Sequence, residues 1–164
     1  SLVLAGAANW AAGQYSLKQS SRDVALLLRC AAQADEPVYA AGGYPYDLPF
    51  YARLQHPMRV VEDWTAARQN SGDNWRRELF EAADFEPATG QALLQSSAAL
   101  GAAPAGAWLV TPRNFTAPVL QNTWQTVHEG RVWTLWLASA SAPKGPPTAQ
   151  QERLARCQQQ SQHQ

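Results

Sequence analysis

The chain has little charge, few cysteines and no long apolar run, and each shortage excludes a class of protein. Charged residues make up 16% of the 164 positions, with 13 basic residues against 13 acidic ones. This balance removes the positive field on which non-specific nucleic-acid binding depends, so we expect no nucleic-acid partner. No stretch approaches the roughly 20 apolar residues that cross a bilayer. With 46% hydrophobic residues, the chain is still rich enough in apolar groups to form a globular core.

The two cysteines, Cys30 and Cys157, have no second Cys or His nearby at the spacing of metal ligands. We therefore expect no metal site. A disulfide between them is possible in an oxidising compartment, but their spacing favours two unpaired thiols. Cysteine usage leaves the compartment open.

The first half of the chain alternates helical and strand-like patterns. Helical spacing of apolar residues predicts a helix from about Ser21 to Ala34, and the run at residues 38–41 predicts a buried strand that ends at Gly42-Gly43. Asp47 is predicted to cap a short helix that contains Pro49. A second strand follows at residues 58–61. This order predicts a parallel strand pair joined by a crossover.

The second half gives weaker signals. Residues 65–72 look turn-like, whereas Asp73 or Asn74 is a cap for a helix that carries Trp75 and Leu79. The remaining predictions are a diluted helix at about 89–100, buried strands at 107–111 and 131–137, and a helix between them that begins near Pro118. These patterns predict an α/β fold, a three-layer sandwich with a short, mostly parallel sheet.

The domain organisation follows from composition. We expect a linker after a missing transmembrane region at residues 1–14, although its apolar start, Ser1 to Ala8, could instead form a strand. A soluble α/β domain is expected at 15–140. The composition changes to Pro, Ser, Ala and Gln at 141–164, which predicts a flexible tail with at most a marginal helical turn at 152–157.

Motifs of catalysis are missing from the sequence. It contains no nucleotide-binding glycine loop and no hydrolase nucleophile elbow. Gly42-Gly43 follows a strand as a phosphate cradle would, but a plain turn is the favoured interpretation. Glu62 and Asp63 end a strand where an acid/base pair could be placed, yet solvated carboxylates are favoured there. We expect no catalytic residue and no cofactor.

The segment from Tyr15 to Trp64 carries a resemblance. Its core is the loop Tyr44-Pro45-Tyr46-Asp47-Leu48-Pro49-Phe50-Tyr51, which lies between the strands at 38–41 and 58–61. This arrangement resembles the domain that follows the transmembrane helices in the bacterial glycosyltransferase family 39 and lipid A aminoarabinose transferase group. In that group the loop has the form Tyr-x-Gln-Asp-Leu-Pro-Phe-Tyr, and Tyr46 here replaces the common Gln.

The resemblance implies a function for the whole protein. It would be an integral enzyme of the bacterial inner membrane that transfers a sugar from a polyprenyl-phosphate donor to a lipid or protein acceptor. This chain would be its inactive domain on the periplasmic face, with the transmembrane catalytic domain of the same polypeptide as partner and the lipid-linked sugar or the acceptor as further contacts. The family's catalytic carboxylates lie in the transmembrane part, so none is carried over. A free-standing α/β module for a small ligand is the alternative, with a closed pocket near Gly42 and Glu62.

The expected contact surface for the acceptor or the membrane domain contains six residues: Tyr44, Tyr46, Asp47, Tyr51, Glu62 and Asp63. Tyrosine rings stack on sugars and suit interfaces. The structural interpretation of the same loop makes Asp47 a helix cap and packs Phe50 inward. We expect the loop from Gly42 to Tyr51 to be ordered at the rim of the domain.

Overall fold

The computed structural model describes residues 20–70, 72–139 and 146–162. The linker expected at 1–14, and Tyr15-Ser16 of the resemblance, lie outside the described residues. The helices in this part of the chain are α1 (Arg22–Ala31), α2 (Leu48–Ala52), α3 (Trp64–Asn70), α4 (Trp75–Phe85), α5 (Pro87–Leu93), α6 (Ala98–Gly101), α7 (Pro118–Thr123) and α8 (Ala149–Ser161). The strands are β1 (Val38–Ala41), β2 (Arg59–Val61), β3 (Leu94–Gln95), β4 (Trp108–Pro112), β5 (Trp124–Glu129) and β6 (Trp133–Ala138).

The strands form one mixed sheet in the order β3-β2-β1-β4-β6-β5. β1 pairs in parallel with both β2 and β4, and β2 pairs in parallel with β3, whereas β6 runs antiparallel to β4 and to β5. The predicted α/β class and mostly parallel sheet are therefore confirmed, as is the crossover between β1 and β2. The buried strands were predictable because β-branched and aromatic residues dominate them.

Apolar side chains cover both faces of the sheet. On β1, Val38 and Ala40 belong to one buried cluster and Tyr39 and Ala41 to the other, as the two-residue period of a strand requires. α1, α2 and α8 pack on the first face, and α6 and α7 on the second. The sheet is thus the middle of three layers.

The C-terminal region corrects two predictions. Residues 149–161 form α8 and not a frayed tail, with a capping box in which Thr148 and Gln151 bond to each other's backbone amides. Leu154 and Cys157 are buried on the face of α8 that packs against α1. The favoured interpretation of two unpaired thiols is also wrong, because Cys30 and Cys157 form a disulfide across 127 positions of sequence. The domain boundaries at 15, 140 and 141 stay predictions.

Three other predictions change. Residues 64–70 form α3 and not a turn, because Asp63 accepts a hydrogen bond from the Ala66 amide and opens the helix. The diluted helix expected at 89–100 divides into α5, β3 and α6. The helix expected from near Pro118 ends at Thr123, and residues 124–129 form β5, a polar edge strand whose pairing with β6 contains a bulge.

Candidate functional site

The loop from Gly42 to Tyr51 follows the carboxyl end of β1. Gly42 has a φ of +74°, and a Cβ atom there would collide with the ring of Phe115, so the turn requires glycine. Pro45 is fully buried, and its carbonyl accepts a 3.1 Å hydrogen bond from the Leu48 amide. These contacts hold the loop against the domain.

Asp47 contacts the start of α1 and not the helix it was predicted to cap. It stands at the N-cap position of α2, but its side chain makes no capping bond there. One carboxylate oxygen accepts from the Ser21 hydroxyl at 2.6 Å, the other accepts from the Ser20 hydroxyl at 2.7 Å, and the Ser21 amide donates to both. Ser21 is fully buried and directly precedes α1. Asp47 therefore places its negative charge at the amino end of α1, which is longer than α2. The prediction that Asp47 caps α2 is therefore wrong, because its carboxylate bonds to the two serines that precede α1.

Tyr44 and Tyr46 form an edge-to-face pair with ring centroids 4.9 Å apart. Tyr44 is half-buried and packs against the first core cluster, and this burial raises its pKa. Tyr46 is 60% exposed, and its hydroxyl donates a 2.6 Å hydrogen bond to Glu78 on α4. Desolvation, the hydrogen bond to Glu78 and the charge of that carboxylate raise the pKa of Tyr46 to about 12. Of the two, Tyr46 supplies the ring available to a partner.

Tyr51 lies apart from that pair. Its ring contacts Phe50 at 5.3 Å and the Arg22 guanidinium at 5.8 Å, both measured from the ring centroid. Phe50 is 79% exposed, so the prediction that it packs inward is wrong. Phe50 belongs to α2, which is a single turn whose buried residues are Leu48 and Ala52.

Glu62 and Asp63 are both engaged in structural contacts. Glu62 accepts a 2.6 Å hydrogen bond from Arg76 Nε in a partly buried ion pair, and Asp63 caps α3. Together with Asn70 and Asn74 they line an open cleft of about 280 Å³. These contacts provide no free acid/base pair at the end of β2.

The six predicted residues therefore do not converge on one point. Tyr46 and Glu62 are both tied to the first turns of α4, through Glu78 and Arg76 respectively. Neither partner was predicted from the sequence, although the Asn74 cap marks the turn from which both project. This arrangement is a surface of aromatic rings and ion pairs.

The crevice where small ligands bind in parallel sheets is occupied by the protein itself. Strand order reverses between β1 and β4, which is where such a crevice opens. Here the Phe115 ring lies on Gly42, while Pro112 and Trp133 lie against Gly43. The expectation of a small-ligand pocket near Gly42 thus gains no support at this position.

Within residues 20–70, 72–139 and 146–162, no cluster of His, Cys, Asp or Glu is arranged to hold a metal ion. None of the helices in this part of the chain is long and apolar enough to cross a bilayer.

Comparison with known proteins gives one group of matches. No protein-family model matches the chain, and no curated protein does so either. Among solved structures, the chain is similar to ArnT from Cupriavidus metallidurans bound to undecaprenyl phosphate, at 20% identity and a TM-score of 0.52. The apo state of that protein matches at 21% identity and a TM-score of 0.51. Each match covers 79% of this chain.

The similarity concerns fold, and it involves part of ArnT. This chain spans 21% of the undecaprenyl phosphate complex and 22% of the apo structure, which is about a fifth of the length of the matched protein. The resemblance to the lipid A aminoarabinose transferase group is confirmed at the level of the fold.

Proposed function

We propose that this chain is the non-catalytic, extracytoplasmic domain of a membrane glycosyltransferase. The whole protein would transfer a sugar from a polyprenyl-phosphate donor to a lipid or protein acceptor. The observation that carries the proposal is the fold similarity between 79% of this chain and a fifth of ArnT, a protein that binds undecaprenyl phosphate in its crystal structure. That relation is expected if this chain corresponds to one domain of such an enzyme.

The contacts of the carboxylates support a non-catalytic role. Asp47 is held by the serines at the start of α1, Glu62 by Arg76, and Asp63 by the first turn of α3. A general acid or base needs a carboxylate directed at a substrate, whereas these three are directed at the protein. Catalysis is then a task for the transmembrane part of the same polypeptide.

The disulfide supports the periplasmic face of the bacterial inner membrane as the location. Disulfides persist in the periplasm, whereas cysteines are kept reduced in the cytosol of most cells. The Cys30–Cys157 pair joins α1 to α8, and Cys157 is buried. Protease added to spheroplasts should therefore degrade this domain in the full-length protein, whereas protease added to inverted membrane vesicles should leave it intact.

The exposed ring of Tyr46 is our candidate for contact with the transmembrane domain or the acceptor. Sugar transfer by membranes that contain the full-length protein should fall when Tyr46→Ala removes the ring. Tyr46→Phe is the matched control, because it retains the ring and loses only the bond to Glu78. Equal transfer by all three proteins would contradict a contact role for this ring.

The coding sequence upstream of Ser1 gives the most direct test of the proposal. It should encode many hydrophobic segments of about 20 residues each. A reading frame that begins near Ser1 without such segments would exclude a domain of a membrane enzyme.

A further inference from the structure

One exposed face of the domain combines cations with apolar side chains. On α1, Arg22, Leu26 and Arg29 are spaced by four and three residues, so all three project from the same side of the helix. All three are exposed, and Leu26 retains 43% of its surface. The stripe therefore presents a leucine between two guanidinium groups.

α2 continues this face. α1 packs on α2, where Arg22 lies over the ring of Tyr51 and Phe50 packs beside that ring. Arg53 follows as the C-cap of α2, and its amide donates to the Phe50 carbonyl at 3.3 Å. The exposed Phe50 thus lies one helical turn before Arg53 and beside the Tyr51 ring, which contacts Arg22.

A cavity of about 330 Å³ lies on this face, and residues of both α1 and α2 line it. Three arginines and a histidine contribute to its lining: Arg29, Arg53, His56 and Arg59. Together, Arg22, Leu26, Arg29, Phe50 and Arg53 form what we call the cationic face, whereas the Arg59 guanidinium donates to the Tyr39 hydroxyl and lies over the Tyr39 ring.

The described part of the chain leaves this charge mostly uncompensated. Glu36 also lines the cavity, but its carboxylate is engaged by Arg153 at 2.6 Å and by the Trp108 indole at 2.8 Å. Asp35 is an exposed carboxylate at the rim. Among the described residues, no carboxylate pairs with the arginines of the cationic face, whereas four other arginines have such partners: Arg68, Arg76, Arg77 and Arg153.

The carboxylate of Asp23, which follows Arg22 on α1, is also directed away from the cationic face. Asp23 Oδ1 accepts a hydrogen bond from the Val24 amide at 2.8 Å, and Asp23 Oδ2 accepts one from the Arg131 amide at 3.1 Å. These bonds hold the Asp23 carboxylate toward the loop before β6. The Asp23 carboxylate therefore does not pair with Arg22.

The backbone of Arg53 adds an independent observation. Its φ of 52° and ψ of 48° place it in the left-handed region, where glycine is the usual C-cap residue and other side chains carry a conformational cost. Arginine at this position therefore carries a conformational cost that glycine would not.

We propose that the cationic face docks on an anionic lipid surface, with the arginines contacting headgroup phosphates and Phe50 and Leu26 entering the interfacial layer. Basic groups beside exposed apolar side chains are the combination that binds anionic bilayers. Asp47 binds Ser20, the first described residue, so the chain continues from this side of the domain into residues 1–19, whose first eight carry no charged side chain. The proposal does not depend on the glycosyltransferase assignment.

Vesicle sedimentation of the 164-residue protein tests the proposal. Binding should be seen with vesicles in which about a third of the lipid is phosphatidylglycerol, should be absent with phosphatidylcholine alone, and should weaken with salt. Arg29→Gln with Arg53→Gly should reduce the partition coefficient by about fivefold for each arginine removed. The control, Arg68→Gln with Arg113→Gln, has the same loss of charge elsewhere and should retain binding.

Arg53→Gly separates binding from folding. Glycine suits the left-handed position, so the melting temperature of this variant should equal or exceed that of the parent while its vesicle binding falls. Equal loss of binding in the control pair would overturn the proposal, because net charge and not this face would then be responsible. Failure to bind anionic vesicles would also overturn the proposal. This holds even if inorganic phosphate raises the melting temperature of the parent and not of Arg53→Gly, because the arginines would then bind free phosphate and not a lipid surface.

Discussion

α1 and α4 are helices of similar length that are attached to the same domain in opposite ways. α1 buries Val24, Ala25, Leu27, Leu28 and Ala31, and the disulfide joins it to α8. α4 has no fully buried residue, and Phe85 at its end is 93% exposed. The surface ion pair Arg68–Asp84 connects α4 to α3, and the pair Arg77–Glu81 lies within α4.

This difference indicates uneven stability across the fold. Burial of apolar surface is the main stabilising contribution, whereas exposed ion pairs contribute about 0–1 kcal/mol each. Gly90 allows α5 to approach α4 closely, because a Cβ atom there would collide with the Ala83 backbone. We therefore expect α4 and α5 to open as a local unit before the α1 side does.

Loss of the disulfide should have the largest effect on this comparison. Cys30→Ala with Cys157→Ala should lower the free energy of unfolding by about 2–5 kcal/mol, because the crosslink closes a loop of 127 positions in the unfolded chain. Urea denaturation of the variant and of the parent measures the change. Coincident unfolding curves would show that α8 is held by its packing alone.

The same leucine truncation in the two helices gives the next largest effect. Leu28→Ala in α1 should cost about 3 kcal/mol, because the side chain is fully buried and its removal leaves a cavity. Leu79→Ala in α4 should cost about 1 kcal/mol, since that side chain is only partly buried. Thermal or urea unfolding of both variants provides the comparison. Equal costs would refute the contrast between the helices.

Replacement of Asp47, which contacts the start of α1, should have a smaller effect on the free energy of unfolding. Asp47→Ala should cost about 2 kcal/mol, because it leaves the buried Ser21 hydroxyl and amide without their charged acceptor. Ser21→Ala and the double variant complete a cycle in which unfolding by urea should give a coupling energy of about 1 kcal/mol. Additive single effects would argue that this contact contributes little.

The sequence predicted the elements whose signals are local. β1, β4 and β6 are buried apolar runs, and the Asn74 cap preceded α4 as expected, with its side chain accepting from the Arg76 amide. β5 was missed because an edge strand has polar residues on its exposed positions. The Thr148–Gln151 capping box was a readable signal for α8, although the glutamine-rich composition concealed it.

The contacts of the candidate site could not be read in the same way, because they join distant residues. Asp47 lies 26 positions from Ser21, and Tyr46 lies 32 from Glu78. A local rule assigned Asp47 to the nearest helix start, but the fold brings the start of a longer helix to it. The exposure of Phe50 likewise depends on how α2 packs, which no spacing within its single turn determines.

The bond between Tyr46 and Glu78 joins the loop after β1 to α4, and its expected effect is the smallest. Desolvation and Glu78 raise the pKa of Tyr46 to about 12 from an ordinary value of 10. Because the folded-state pKa is above the unfolded value, this contribution to stability is complete below pH 10 and is lost as pH rises toward 12. Ultraviolet titration should show a late tyrosine transition that Tyr46→Phe abolishes and Glu78→Gln moves toward 10. A Tyr46 transition that stays at the same pH in Glu78→Gln would mean that the carboxylate does not hold the phenol, and that α4 is attached to the loop by packing alone.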